Sequence, residues 1–278
     1  MINFESREEL QTFISREKDK GLSIGFVPTM GALHAGHLSL IQAAKDTCDL
    51  VVCSVFVNPT QFNKAEDLEK YPRNEKRDKE LLEKAGCHVL FLPSVQTIYP
   101  DGTDHFEVPD VGHMAQVYEG EFRPGHFDGM MQVVSLLLDI VNPSHMFMGL
   151  KDFQQFAICK KMVEIQGRTV EVCGMPTFRE TNGLAMSSRN ERLSAEAKKD
   201  AKIIYETLDW VKQHLLDYDN SVLAELGERQ LKNFPGLILE YFDIVDKTSL
   251  RHTNNKENLI ALCAARIEGV RLIDNMIL

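Results

Sequence analysis

Short apolar runs alternate along the chain with segments in which apolar side chains recur every three to four positions. The runs at 22–27, 50–57, 88–92, 145–148 and 169–173 have the length of buried strands, and 37–47, 74–86, 127–141 and 152–165 carry helical spacing between them. Strand and helix in alternation is the pattern of a parallel sheet wound with helices. After about residue 177 the rhythm changes, with helical stretches at 194–215 and 221–233 followed by strands at 237–245, 257–265 and 270–277. The pattern therefore predicts two parts, an α/β domain over 1–177 and a smaller C-terminal α+β domain over 178–278, meeting near the Pro- and Gly-containing stretch at 175–183.

The first of the long strands, 22–27, runs into Pro28-Thr-Met-Gly-Ala-Leu-His-Ala-Gly36, a glycine-containing loop that opens a helix near His37. A strand, loop and helix in this order is where Rossmann-like sheets, with helices on both faces, bind phosphates. Within it, His34-Ala-Gly-His37 puts two imidazoles almost one helical turn apart, so that both can face one ligand. Gly36 lets a phosphate approach the main chain, and the free amides of the helix start can donate to an oxyanion. Two histidines are an incomplete set for zinc, and the glycine spacing of a P-loop is present without its Lys-Ser/Thr, which His37-Leu38 replaces.

Three more segments carry chemistry. Gly183-Leu-Ala-Met-Ser-Ser-Arg-Asn190 sets two hydroxyls beside a guanidinium, the donors a triphosphate takes, although a Ser/Asn-rich turn before a helix reads the same way. Gly149-Leu-Lys-Asp-Phe-Gln-Gln155 puts Lys151 and Asp152 at a strand's carboxyl end. There they suit a phosphate and a ribose, or form a solvated charge pair at a helix start; the residues leave both open. Phe56-Val-Asn-Pro-Thr-Gln-Phe62 ends another strand with the amides of Asn58 and Gln61, which suit a small polar acid or a plain Asn-Pro turn.

Charge narrows the partners. A formal net charge of −10 and a pI near 5.4 argue against a general binder of nucleic acid or membrane surfaces. No run approaches the ~20 apolar residues of a membrane span, and the opening residues lack the order of a secretion signal, so the expected compartment is the cytoplasm. Six cysteines without a Cys-x-x-Cys pair, several inside apolar runs, are expected to be reduced and buried.

Together these segments resemble the pantothenate synthetase family, over nearly the whole length. The resemblance runs from Val27-Pro-Thr-Met-Gly-Ala-Leu-His-Ala-Gly-His37 through Ser54-Val-Phe-Val-Asn-Pro-Thr-Gln-Phe62, Tyr71-Pro-Arg73, Arg123-Pro-Gly-His-Phe127, Lys151-Asp-Phe-Gln-Gln155 and Met186-Ser-Ser-Arg-Asn190 to Arg271-Leu-Ile-Asp-Asn275. That family belongs to the nucleotidyltransferases related to class I aminoacyl-tRNA synthetases. The resemblance implies a homodimer whose subunits have a Rossmann-type ATP domain and a small C-terminal domain covering the site. The implied reaction joins pantoate to β-alanine through a pantoyl adenylate at the expense of ATP, with no nucleic-acid or membrane partner.

By the same resemblance, His34 and His37 contact the phosphates, while Lys151, Met186, Ser187, Ser188 and Arg189 hold the triphosphate. Asp152 and the Gly149 backbone hold the ribose. Gln61 and Gln155 bind pantoate near Thr29 and Met30, with Asn58 lining the pocket and Tyr71, Arg123 and His126 on loops that close over it. Mg2+ is expected mainly on phosphate oxygens, with no side chain assigned as its ligand and Asp78 a minor candidate. Leu150 stands where relatives are expected to carry a polar residue, and Arg77 where another acid would help a metal. The competing readings are another small-molecule nucleotidyltransferase of the same superfamily, a small tRNA synthetase, and a non-catalytic relative of the fold.

Overall fold

The computed structural model describes residues 1–63, 65–69, 71–103 and 107–278. The chain groups into two compact units, Met1–Gly149 with Gln154–Met175, and Leu150–Phe153 with Pro176–Leu278.

The first unit is built on six parallel strands, β1 (Ile2–Phe4), β2 (Ile24–Thr29), β3 (Leu50–Val55), β4 (Val89–Phe91), β5 (His145–Gly149) and β6 (Glu171–Met175). Their order in the sheet is β1-β4-β3-β2-β5-β6. The helices are α1 (Arg7–Asp19), α2 (Ala35–Thr47), α3 (Ala65–Glu69), α4 (Glu75–Ala85), α5 (Val95–Ile98), α6 (Glu119–Phe122), α7 (His126–Val141) and α8 (Phe153–Ile165). One face packs Val27, Val51, Cys53, Leu90 and Phe147 against Leu40 and Ile41 of α2 and Leu82 of α4. The alternate residues Phe26, Val52, Val89, Phe91 and Met146 point the other way and are equally buried, so the sheet is covered on both faces. This is why its strands read as continuous apolar runs. On β2 the chain order reverses, with β3 on one side and β5 on the other. Loops that leave the carboxyl ends of neighbouring strands in opposite directions open a crevice there.

β1 and α1 lie in a stretch for which the pattern predicted no element. Ser6 caps α1 by accepting from the Glu9 amide at 3.3 Å, and Leu10 and Ile14 bury one stripe of an otherwise charged helix. Among the described residues, no helix is long and apolar enough to cross a membrane.

The second unit packs α9 (Ala195–Asp200), α10 (Lys202–Gln213) and α11 (Asn220–Lys232) with an antiparallel sheet of β7 (Leu237–Asp246), β8 (Leu259–Ile267) and β9 (Val270–Ile277). Ile204, Leu208, Val211, Leu223 and Leu231 meet Ile244, Ala261, Cys263 and Ala265 in its core. The single helix expected over 194–215 is two, because Ala201, at ψ −16°, turns the chain out of regular α geometry between α9 and α10.

All six cysteines are free thiols. Burial pushes Cys87 up to about 11 and Cys159 up to about 12, so neither is a thiolate at neutral pH.

Candidate active site

The residues singled out in the sequence gather into three groups, two in the first unit and one in the second. At the end of β2 the Thr29 hydroxyl turns inward, donating to the Ser54 carbonyl at 2.7 Å and accepting from the Gly31 amide at 3.3 Å. The loop that follows is fixed by Asp78 of α4. Its two carboxylate oxygens accept from the Ala32 amide at 2.9 Å and the Leu33 amide at 2.8 Å, and the residue is only 2% exposed. With one backbone amide on each oxygen, Asp78, a minor candidate for metal ligation, shapes the approach to His34. Among the described residues no cluster of three His, Cys, Asp or Glu could hold a metal ion.

His34 is the N-cap of α2 and is extended there, at φ −140° and ψ 177°. Its backbone N–H donates to Nδ1 of His37 at 3.3 Å, and the two rings lie 4.1 Å apart at 38°. Because Nδ1 of His37 accepts, the proton of the neutral ring sits on Nε2, which makes that atom a donor. No acidic residue occupies the first turn of α2, so the positive end of the helix is not neutralised locally. The two rings and the helix start thus form one group of donors suited to an oxyanion.

The second group lies on the turn after β3. Gln61 is nearly buried at 7% exposure, with Nε2 directed to Sδ of Met30 at 3.1 Å. Asn58, 1% exposed, spends its amide on the protein. Nδ2 donates to Gln61 Oε1 at 3.2 Å and to the Gly129 carbonyl at 3.0 Å, while Oδ1 accepts from the Tyr99 hydroxyl at 2.7 Å and from Thr60. It therefore backs Gln61 rather than presenting a polar atom of its own. His126, at the start of α7, is buried and holds the Gln61 carbonyl through Nδ1 at 2.9 Å. Arg123 pairs with Glu119 at 3.7 Å, and Tyr71 meets the Phe62 ring edge-on.

In the Lys151-Asp-Phe-Gln-Gln155 segment the two glutamines differ. Gln154, buried on α8, donates to the Met114 and Val117 carbonyls at 2.8 and 2.7 Å and accepts from the Glu119 amide at 3.0 Å, tying down the loop before α6. The Gln155 side chain is half-buried and, among the described residues, has no hydrogen-bond partner.

The third group belongs to the second unit. Lys151 and Asp152 sit on the turn that continues from β5 and Gly149, with Nζ 3.4 Å from the exposed Asp152 carboxylate. Asn275 of β9 fixes that turn, donating from Nδ2 to the Leu150 and Lys151 carbonyls at 2.8 Å each. Beside it, residues 178–186 form a tight hairpin. Arg179 grips Asp274 through two bonds of 2.6 and 3.0 Å and also donates to the Gly183 and Asn275 carbonyls, while its guanidinium lies 4.6 Å from the Tyr205 ring. Gly183 turns the hairpin at φ +90°, and a Cβ there would fall 2.3 Å from that ring.

The hairpin delivers Met186 to Arg189. Ser187 caps the following turn, its hydroxyl accepting from the Arg189 amide at 3.2 Å. Lys151, Ser187, Arg189, Asn190, Arg271 and Asp274 line one small recess in this unit. Arg271 is taken by Glu240 at 2.6 Å and Asp274 by Arg179. That leaves Lys151 and Arg189 as the cations of the recess for an outside anion, since Arg189 has no carboxylate partner among the described residues. Arg179, Asp274, Asn275, Gln154 and Tyr99 drew no role from the sequence. The one visible signal was Asp274-Asn275, two adjacent polar residues inside a largely apolar strand.

Comparison with known proteins bears on what this arrangement does. The family model described as pantoate-beta-alanine ligase matches residues 3–277. A pantothenate synthetase of Christiangramia forsetii is 45% identical, covering 99% of this chain and 98% of that one, and one of Porphyromonas gingivalis is 42% identical over 98% of each. Among solved structures, pantothenate synthetase from Thermus thermophilus superposes with a TM-score of 0.92 at 38% identity, over 99% of both chains. Pantoate-beta-alanine ligase from Francisella tularensis, complexed with beta-gamma ATP and beta-alanine, does so with 0.80 at 36% identity, over 100% of this chain and 97% of that one.

Proposed function

This chain belongs to the pantoate-beta-alanine ligase family, and from that premise we propose that it condenses pantoate with β-alanine at the expense of ATP, releasing AMP and pyrophosphate. The observation that carries the reading is the chemistry of the donors: two imidazoles at a helix start in the first unit, and an ammonium, a guanidinium and two hydroxyls in the second. Such a set stabilises charge on phosphates and needs no covalent enzyme intermediate.

In the proposed first step a carboxylate oxygen of pantoate attacks the α-phosphorus of ATP, pyrophosphate leaves, and pantoyl adenylate forms. His34 and His37 donate to the oxygens of the phosphate under attack, His37 from Nε2. Lys151, Ser187, Ser188 and Arg189 neutralise the remaining phosphates, with Met186 beside them. Asp152 and the Gly149 backbone receive the ribose. Gln61 and Gln155 hold pantoate, with Met30 against it, Thr29 shaping the strand end and Asn58 acting through Gln61. In the second step the amine of β-alanine attacks the acyl carbon, the C–O bond to phosphate breaks, and AMP departs. Magnesium enters as part of the substrate, bound to ATP oxygens. The reading includes a homodimer in the cytoplasm.

The test is an assay with ATP, pantoate and β-alanine in which each is left out in turn. AMP and pyrophosphate are expected in equal amounts with all three, and AMP release should cease without β-alanine. A product that retains the nucleotide would point to another nucleotidyltransferase.

A further inference from the structure

An amide side chain can face a ligand with either end, and the two ends read opposite chemistry. Gln61 presents Oε1 to Asn58 Nδ2, a pure donor, so its own NH2 is the end left over. Among the described residues that NH2 meets only the Sδ of Met30, a weak acceptor that an oxygen readily replaces. Gln61 is thus set to read an acceptor oxygen, as a hydroxy acid offers, rather than a donor.

The setting depends in turn on Asn58. Its Nδ2 also donates to the Gly129 carbonyl at 3.0 Å, and its Oδ1 also faces the Thr60 amide at 3.4 Å. These are backbone groups whose polarity cannot be exchanged, so flipping Asn58 would set oxygen against oxygen and N–H against N–H. The shortest bond in the group is to Oδ1 from the Tyr99 hydroxyl at 2.7 Å, from a ring only 4% exposed at the end of α5. Burial pushes the Tyr99 phenol up, so it stays a donor at neutral pH. The frame is rigid as well: α7 lies so close that a Cβ on Gly129 would fall 2.3 Å from the Thr60 carbonyl oxygen.

We propose that Tyr99 is a positioning residue: its short bond to Asn58 Oδ1 holds in place the amide that the backbone has oriented, and with it the Gln61 NH2 that meets the hydroxy-acid substrate. The proposal rests on the assignment of Gln61 to pantoate above. It identifies a side chain 38 positions from Gln61 in the chain that touches no substrate, yet helps hold the amide that reads the acid.

Tyr99→Phe removes one oxygen from a buried ring and tests this directly. The expected result is a KM for pantoate raised about 5–10-fold, the scale of one loosened buried hydrogen bond. The KM values for ATP and β-alanine should be unchanged, and kcat should stay within about twofold. A purely structural role would lower the melting temperature and leave all three KM values alone, which overturns the proposal. A second readout needs no turnover: the side-chain NH2 resonances of Asn58 and Gln61, followed by NMR in the ligand-free protein, should both shift in Tyr99→Phe. If they do not, no such relay exists. Wild-type protein that consumes no pantoate would sink the functional reading instead, and the NMR comparison would still decide whether Tyr99 holds Gln61 in place.

Discussion

Lys151→Ala should form pantoyl adenylate about 10²–10³-fold more slowly than the wild type while keeping its fold, the usual effect of deleting one donor to charge that develops in a transition state. The turn carrying Lys151 is held by Asn275 through the main-chain oxygens of residues 150 and 151, so truncating the side chain leaves both anchors in place. Among the described residues the ammonium has one carboxylate within ion-pair distance, that of the exposed Asp152 at 3.4 Å, and such a pair contributes little to stability. Pyrophosphate release in a single turnover with ATP and pantoate measures the chemical step, and a thermal melt reports the fold. A variant that adenylates at near-native rate would remove Lys151 from the mechanism.

The second large effect concerns Arg179 and Asp274. Asp274 is 4% exposed and burial pushes its carboxyl up, while Arg179 pulls against that through two short bonds. Removing one partner of such a buried pair strands the other charge, so Asp274→Ala should cost about 3–5 kcal/mol in urea unfolding. Replacing both with apolar residues of similar size, Arg179→Met with Asp274→Leu, should restore most of that loss, because a buried pair is costly to desolvate in the first place. Activity should not return with stability. Arg179 also holds the Gly183 and Asn275 carbonyls, and with them the hairpin that delivers Ser187 and Arg189 and the strand that fixes Lys151. A stable but inactive double variant is the expected outcome, and an active one would mean that the pair serves stability alone.

Most strands of the first unit were legible because a parallel sheet covered on both faces leaves unbroken apolar runs, as at 50–55. β1 was not, since three residues are too few to show a pattern, and α1 was hidden by its many charged residues. The residues proposed as donors, His34, His37, Lys151, Ser187 and Arg189, stand in short segments at strand or hairpin ends, where glycine and polar residues interrupt the apolar rhythm. What holds them was not legible. Asp78 reaches Leu33 across 45 positions, Tyr99 reaches Asn58 across 41, and Arg179 reaches Asp274 across 95. No local spacing encodes such pairings. Asn58 and Gln61 were seen together, but their difference in role depends on Gly129 and Tyr99, which only the packing of α7 and α5 brings to them.

The claim on which the account turns is that these donors serve attack by a carboxylate on the innermost phosphate of ATP. Exchange of labelled pyrophosphate into ATP tests it most directly, because exchange requires a reversible adenylate. The account predicts exchange that depends on pantoate, proceeds without β-alanine and falls in parallel in Lys151→Ala and His34→Ala. Pantothenate formation with no pantoate-dependent exchange, or exchange indifferent to both substitutions, would contradict it.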